Sequence, residues 1–166
     1  MRWELASGVA AATLTAGAST PARTLVGPLA PLSFMVGEWR AAGTASGPGA
    51  GGDSAIQPEL AGRVLVRNDH VTLKAGGGFE IYQLVYADGS QLRSEFIDTE
   101  GHVIHYKVAA GPGARAVFDT GPSAAQGPAF RLTYSAQSPD RLHIRFEIAP
   151  PGGAYKVYSE GDLVRK

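Results

Sequence analysis

Two histidines lie three residues apart in the stretch FIDTEGHVIHYKV, residues 96 to 108, directly after an acidic turn. Imidazoles and carboxylates are the groups that most often bind metal ions or exchange protons in proteins. Side chains three apart on a β-strand point to opposite faces, so His102 and His105 cannot chelate one ion together. We therefore predict no metal site here. Asp98 and His102 remain as a pair capable of acid/base chemistry, with Tyr106 as a group that can stabilise an oxyanion.

Short runs of β-type sequence, separated by turn residues, follow one another from residue 35 onward. Turn chemistry marks the breaks, for example ADGS at 87–90, DTEG at 98–101 and SPD at 138–140. The small-residue segment AAGTASGPGAGGDS predicts a loop between the first two runs. The pattern predicts an all-β, antiparallel up-and-down β-barrel of about ten strands, because closure removes the exposed strand edges. The predicted strands are 37–46, 53–58, 62–72, 78–87, 91–98, 102–109, 114–119, 129–136, 141–149 and 154–160.

Two hairpin turns assign side chains to the inside or the outside of this barrel. A two-residue turn at Asp88-Gly89 predicts the pairs Val85 with Leu92, Gln83 with Ser94, and Ile81 with Phe96. A three-residue turn, Thr99-Glu100-Gly101, has glycine where a bulged hairpin needs a left-handed residue. It predicts the pairs Asp98 with His102, Phe96 with Ile104, and Ser94 with Tyr106. Both turns place the more apolar face inside, with His102 facing inward near the rim and His105 facing solvent.

The predicted interior is mostly apolar and carries a few polar groups, which suits a small apolar molecule with one or two hydrogen-bonding groups. The function predicted first is therefore small-molecule binding in the barrel or at its mouth. An isomerase, cyclase or hydratase using Asp98, His102 and Tyr106 is the alternative, and so is an interior packed solid by the same side chains. The predicted ligand-binding residues are Gln83, Ser94, Phe96, His102, Ile104, Tyr106, Tyr134 and Phe146.

Composition limits the remaining classes of function. The 166 residues carry 15 basic and 15 acidic side chains, so no basic surface points to nucleic acid or an anionic membrane. The absence of cysteine excludes disulfides and thiolate metal sites. No cofactor is predicted, and exposed barrel strands allow a homodimer. Residues 1–30 are expected to be a flexible extension or a poor signal-like segment, and residues 31–166 the barrel; the expected location is cytoplasmic, or secreted or periplasmic if the segment is a signal.

The segments FMVGEWR, LAGRVLV, EGHVIHY, FRLTY and RFEIAPPG resemble bacterial lipocalin-like proteins of the calycin superfamily, most of them uncharacterised. The resemblance covers roughly residues 31 to 166. It implies that Trp39, in the sequence Gly37-Glu38-Trp39, closes one end of the barrel and packs on a late arginine, Arg165. Barrels of this type host isomerases, cyclases and hydratases as well as binding proteins.

Haem-binding barrels of the nitrobindin kind are similar in architecture, and GEWRAAGTASG matches part of their opening motif. This likeness implies an axial histidine near the end of the chain. The last histidine is His143, which the alternation of RLHIRFEI places on the outer face. Haem binding is therefore the least favoured of the alternatives.

Overall fold

The computed structural model describes residues 24–43, 46–121 and 127–166, so most of the predicted N-terminal extension lies outside the described residues. Ten strands form a closed antiparallel barrel in which each strand pairs with its neighbours in the chain and β10 closes on β1. The predicted ten-stranded, all-β up-and-down barrel is confirmed. The strands are β1 (Gly37–Ala41), β2 (Gly49–Glu59), β3 (Val64–Leu73), β4 (Gly78–Asp88), β5 (Gln91–Asp98), β6 (Val103–Gly111), β7 (Arg115–Asp119), β8 (Ala129–Ser138), β9 (Arg141–Ala149) and β10 (Lys156–Arg165).

A 3-10 helix, Gly27–Met35, precedes the barrel and plugs one end of it. Its apolar residues Leu29, Leu32 and Met35 are spaced by three, which aligns them on one face of a helix with three residues per turn. All three belong to the main core cluster, as does Leu25. The expected domain boundary at residue 31 therefore falls inside this helix, which we call the plug helix.

Trp39 and Arg165 fasten the first strand to the last at the plugged end, as the resemblance implied. They are paired residues in the β1–β10 register, and the Arg165 guanidinium carbon lies 4.2 Å from the centre of the Trp39 ring. The fully buried Trp39 indole donates a hydrogen bond of 2.9 Å to the Met35 carbonyl of the plug helix. Arg165 also donates to the carbonyls of Val36 and Pro139, at 3.2 Å and 3.0 Å.

Gly37 leaves room for this contact. A Cβ atom at Gly37 would collide with Arg165 Nη1, and its φ of 151° is one that side-chain-bearing residues rarely adopt. The guanidinium cannot swing away freely, because it is held by Val36, Pro139 and an ion pair of 3.2 Å with Asp140. Gly37 thus leaves the space that Arg165 occupies against Trp39.

The hairpin between β4 and β5 differs from its predicted register. Val85 pairs with Ser94, Gln83 with Phe96, and Ile81 with Asp98. The turn is Gly89-Ser90 rather than Asp88-Gly89, with φ of 61° at Gly89, the first turn position. The pairing is displaced by two residues, and since side chains alternate with a period of two, every residue keeps its predicted face.

The hairpin between β5 and β6 confirms the predicted register. Ser94 pairs with Tyr106 and Phe96 with Ile104, and Gly101 has φ of 90° in the three-residue turn. β1 ends and β2 begins earlier in the chain than predicted, at Ala41 and Gly49 rather than at residues 46 and 53. Small residues make this early start feasible, because a Cβ atom at Gly52 would collide with the His70 carbonyl of β3.

The strands tilt relative to the barrel axis, so a row of paired residues climbs from one end to the other. One such row on the inner face passes through Trp39, Ser54, Asp69, Ile81 and Asp98. It starts beside the plug helix and finishes at the β5–β6 turn. The end that carries this turn is here called the open end, because the described residues place no helix over it. Among those residues, no helix has the length and apolar character needed to cross a membrane.

Replacing Trp39 with alanine tests the closure of the plugged end. The change removes a fully buried indole from between the plug helix and Arg165, so we expect a loss of about 3–5 kcal/mol in the free energy of unfolding. Urea denaturation measures it. Tyr82→Ala is the matched control, because Tyr82 is an exposed aromatic residue of β4 and its loss should change stability by no more than about 0.5 kcal/mol. Equal midpoints for Trp39→Ala and the parent would contradict this account of the closure.

Candidate functional site

A buried charge lies in the middle of the barrel. Arg67 of β3 points inward and is 7% exposed. Its Nε atom donates to Asp69 Oδ2 at 2.9 Å, its Nη2 bonds the same oxygen, and its Nη1 donates to Gln83 Oε1 at 2.9 Å. Gln83 in turn donates from Nε2 to Ser94 Oγ at 2.9 Å. We call these four residues the interior polar cluster.

The cluster is electrically balanced. Burial lowers the pKa of Arg67, but the adjacent Asp69 carboxylate, together with Tyr134 and Tyr106, outweighs burial, so the net shift in pKa is upward and the guanidinium stays charged. The guanidinium also lies 5.6 Å from the centre of the Tyr134 ring. Removing one partner of such a pair leaves an uncompensated buried charge, which typically costs about 3–5 kcal/mol. Asp69 and Arg67 must therefore be considered as one neutral unit.

Three buried polar atoms at this level of the barrel have no hydrogen-bond partner among the described residues: Ser54 Oγ, Asp69 Oδ1 and the Tyr134 hydroxyl. Ser54 pairs with Asp69 across β2 and β3, so their side chains are neighbours on the inner face. Burial raises the pKa of Tyr134, which keeps its hydroxyl protonated and able to donate. Buried polar groups are rarely left unpaired, so these atoms indicate a place for water or for a polar group of a ligand.

Aromatic side chains lie above the cluster, towards the open end. Phe96, Ile104, Phe130 and Phe146 point inward and pack against the core, yet each is only partly buried. Phe130 and Phe146 stack with ring centres 6.1 Å apart, and Phe146 meets Tyr158 edge to face at 6.0 Å. Inward side chains at the plugged end, such as Ile56 and Leu142, are fully buried by comparison. Among the described residues, these four inward side chains therefore leave apolar surface accessible at the open end.

The predicted ligand-binding residues divide between these two layers. Ser94 and Gln83 belong to the interior polar cluster, and Tyr106 and Tyr134 lie buried beside it. The half-buried layer above contains Phe96, Ile104 and Phe146. His102 is the exception: it was predicted to face inward near the rim, and it lies at the rim with its side chain 62% exposed. His102 lies in the turn, one residue before Val103, where the pairing of β6 with β5 begins.

The predicted pairing of Asp98 with His102 is nevertheless present. His102 Nδ1 lies 2.9 Å from Asp98 Oδ2, and the Asp98 side chain is 5% exposed. Asp98 Oδ1 accepts hydrogen bonds from the backbone N–H groups of Glu100 and His102, both at 3.0 Å. Hydrogen bonding to Asp98 raises the pKa of His102, and the charge of the same carboxylate adds to the effect. The carboxylate thus holds the turn and the imidazole together.

Tyr106, the third member of the predicted acid/base group, lies elsewhere. It pairs with Ser94, which lies four residues from Asp98 along β5 and deeper in the barrel, and it is 2% exposed. Its ring packs edge to face on Phe118, with centres 6.1 Å apart. Burial raises the pKa of Tyr106. The pair at the rim and the buried phenol therefore form two separate features.

Among the described residues, three side chains at the rim are the candidates for binding a metal ion. Asp98, Glu100 and His102 each offer one ligand atom, and these atoms lie within 4.8 Å of one another. Both oxygens of Asp98 are already engaged in the turn, and exposed acidic groups are common without an ion. His105 is exposed on the outer face, as predicted, and it also bonds Glu95.

The remaining histidines also lie outside the barrel. His143 of β9 contacts Asp162 of β10 at 2.7 Å, and His70 is exposed on β3. None of the four histidines of the chain points into the interior. The interior consequently supplies no imidazole to a haem iron, and the residues present do not fit the haem-binding alternative.

Two depressions are found on the molecular surface. A groove of about 520 Å³, here called the outer groove, spans β1 to β5. Its lining combines outward residues such as Glu38, Asn68 and Tyr82 with four residues of the inner-face row, Ser54, Asp69, Ile81 and Asp98. The exposed apolar residues Tyr82 and Ile97 line it, and Val103, which pairs with Ile97, is exposed beside it. A smaller depression of about 380 Å³ lies beside Pro28 of the plug helix. Both are alternatives to the interior that a binding experiment must distinguish.

Sequence reasoning missed Arg67 and Asp69, the charged residues of the interior polar cluster. The signal was available in VLVRNDHV, because Leu65, Arg67 and Asp69 alternate on one face of the strand. Leu65 marks that face as buried, and opposite charges two residues apart can neutralise each other inside it. Charged residues in a strand are usually predicted to face solvent, so the Arg67–Asp69 pair was not predicted to be buried.

Comparison with known proteins assigns this chain to no family. No family model and no curated protein matches the chain. Among solved structures, the chain is similar to a de novo designed fluorescence-activating β-barrel, with 14% sequence identity and a TM-score of 0.42. The match covers 80% of this chain and 94% of the designed one. The lipocalin-like assignment thus remains a resemblance carried by the sequence segments given above.

The pKa of His102 tests the rim geometry. Asp98→Asn should lower this pKa toward the ordinary value of 6.5, because asparagine can still cap the turn but carries no charge. An NMR titration of the imidazole protons measures it, with His105 as an internal reference. Since the folded-state pKa is raised, the contribution of His102 to stability is full below the unfolded value and is lost as pH rises through the folded value. An unchanged pKa in Asp98→Asn would contradict the contact.

Proposed function

We propose that this protein binds a small, mostly apolar molecule at the open end of its barrel. The supporting observation is the layering of the interior: half-buried Phe96, Ile104 and Phe146 lie towards solvent, above buried polar atoms that lack partners among the described residues. Binding sites for small molecules combine an apolar lining with a few fixed polar groups in this way. The other end is closed by the plug helix, whose residues Leu29, Leu32 and Met35 are buried.

Proton-transfer catalysis at the rim is the second candidate. The contact of 2.9 Å between Asp98 and His102 favours it, since an oriented imidazole is the usual general acid or base. The separation of Tyr106 from this pair weighs against the predicted three-residue arrangement. The interior therefore supports a binding function more strongly than the rim supports an enzymatic one.

Two neighbouring residues of β6 provide a direct test of binding at the open end. Ile104 is half-buried and points into the mouth, whereas Val103 is 57% exposed on the outer face. With the neutral fluorophore N-phenyl-1-naphthylamine as probe, we expect saturable binding to the parent protein. Ile104→Trp should fill the mouth and weaken binding by at least about tenfold, while Val103→Trp should leave the dissociation constant within about twofold.

Fluorescence titration of the three proteins gives the answer, with circular dichroism to verify that both variants fold. No saturable binding to the parent would overturn the proposed function. Weaker binding to Val103→Trp than to Ile104→Trp would place the site in the outer groove instead.

A further inference from the structure

We infer that the ligand of this barrel is uncharged and carries a hydrogen-bond donor, a hydroxyl or N–H group, that reaches Asp69 Oδ1 and the Tyr134 hydroxyl. The inference rests on the proposed function and deepens it by naming the chemical class of the ligand. It rests on two observations: the hydrogen bonds that Arg67 makes to Asp69 and Gln83, and the buried polar atoms that have no hydrogen-bond partner among the described residues.

The charge of the ligand follows from the ion pair. Arg67 donates two hydrogen bonds to Asp69 Oδ2 and one to Gln83, so its positive charge is already balanced by a carboxylate. The Asp69 side chain is 8% exposed, which leaves little solvent to screen a further charge. An anionic ligand group would meet the Asp69 carboxylate, and a cationic one would meet the Arg67 guanidinium. A neutral group is the one that this environment accepts.

The polarity of the ligand follows from the unpartnered atoms. Asp69 Oδ1 is a carboxylate oxygen and can only accept a hydrogen bond, so the group that satisfies it must donate. The Tyr134 hydroxyl and Ser54 Oγ can donate as well as accept, so each can complete the bonding of a hydroxyl placed between them and Asp69. All three side chains are more than nine-tenths buried. An apolar group placed there would leave the acceptor unpaired.

The half-buried side chains above the cluster limit the size and shape of the remainder of the ligand. Between the cluster and solvent lie aromatic side chains that are only partly buried, with the stacked pair Phe130 and Phe146 on one side. Flat aromatic or alicyclic ligands can pack against such rings. We therefore expect a compact ring system with its donor at the deep end.

Three naphthalene derivatives of similar size test the inference. 2-Naphthol carries a donor and no charge, 2-methylnaphthalene is its near-isostere without a donor, and 2-naphthoate is anionic. We expect 2-naphthol to bind at least about tenfold more tightly than 2-methylnaphthalene, and 2-naphthoate to bind most weakly. In a purely apolar site the methyl compound would bind as well as the naphthol or better. Isothermal titration calorimetry measures all three at neutral pH.

Two variants locate the effect. Tyr134→Phe should remove most of the preference for 2-naphthol and leave the affinity for 2-methylnaphthalene within about twofold, whereas Tyr82→Phe, on the outer face, should change neither. Asp69→Asn leaves the Arg67 charge unbalanced and should invert the order, so that 2-naphthoate becomes the tightest ligand. If this second variant does not fold, Tyr134→Phe alone decides.

Each alternative result has a definite meaning. Equal or tighter binding of 2-methylnaphthalene overturns the inference and leaves the proposed function standing. A preference for 2-naphthol that persists undiminished in Tyr134→Phe also overturns it, and a loss of that preference in Tyr82→Phe places the site in the outer groove. Failure of all three compounds to bind overturns both the inference and the proposed function.

Discussion

The stacking of Arg165 on Trp39 is the contact on which the closed barrel depends. It joins the last strand to the first, since the two residues pair in register, and it joins both strands to the plug helix through the Trp39–Met35 hydrogen bond. A sheet of ten strands without this seam would have two free edges. With the seam in place, one end of the barrel is sealed by Leu29, Leu32 and Met35.

The sealed end explains how a charged residue can lie inside so small a barrel. Arg67 is far enough from solvent that its charge must be compensated internally, and Asp69, two residues along the same strand, does this from the same face. Gln83 and Ser94 extend the network across β4 and β5. The cluster consequently fixes the relative positions of three strands. It also leaves an acceptor, Asp69 Oδ1, that the described residues do not satisfy.

The sequence predicted those features that depend on local chemistry. Turn residues identified all ten strands, and the left-handed Gly101 fixed the pairing of Phe96 with Ile104 and of Asp98 with His102. The Asp88-Gly89 turn was placed one residue early, because two adjacent two-residue turns contain the same glycine and differ only in its position within the turn.

Features that depend on distant contacts escaped the sequence analysis. The buried residues of the plug helix repeat every three positions, which matches neither the α-helical period of 3.6 nor the strand period of two. Its prolines, which are uncommon inside helices, are a further reason why the sequence did not predict it. The pairing of Arg67 with Gln83 depends on the register between β3 and β4, which no local turn signal established in advance. The exposure of His102 depends on where the rim of the folded barrel lies.

A crystal structure of the protein with 6-bromo-2-naphthol tests the central claim most directly, because the anomalous signal of bromine locates the ring without ambiguity. The account predicts a bromine peak at the open end among Phe96, Ile104 and Phe146, with the hydroxyl within hydrogen-bond distance of Asp69 Oδ1 and the Tyr134 hydroxyl. A peak in the outer groove beside Tyr82, or next to Pro28 of the plug helix, would contradict it.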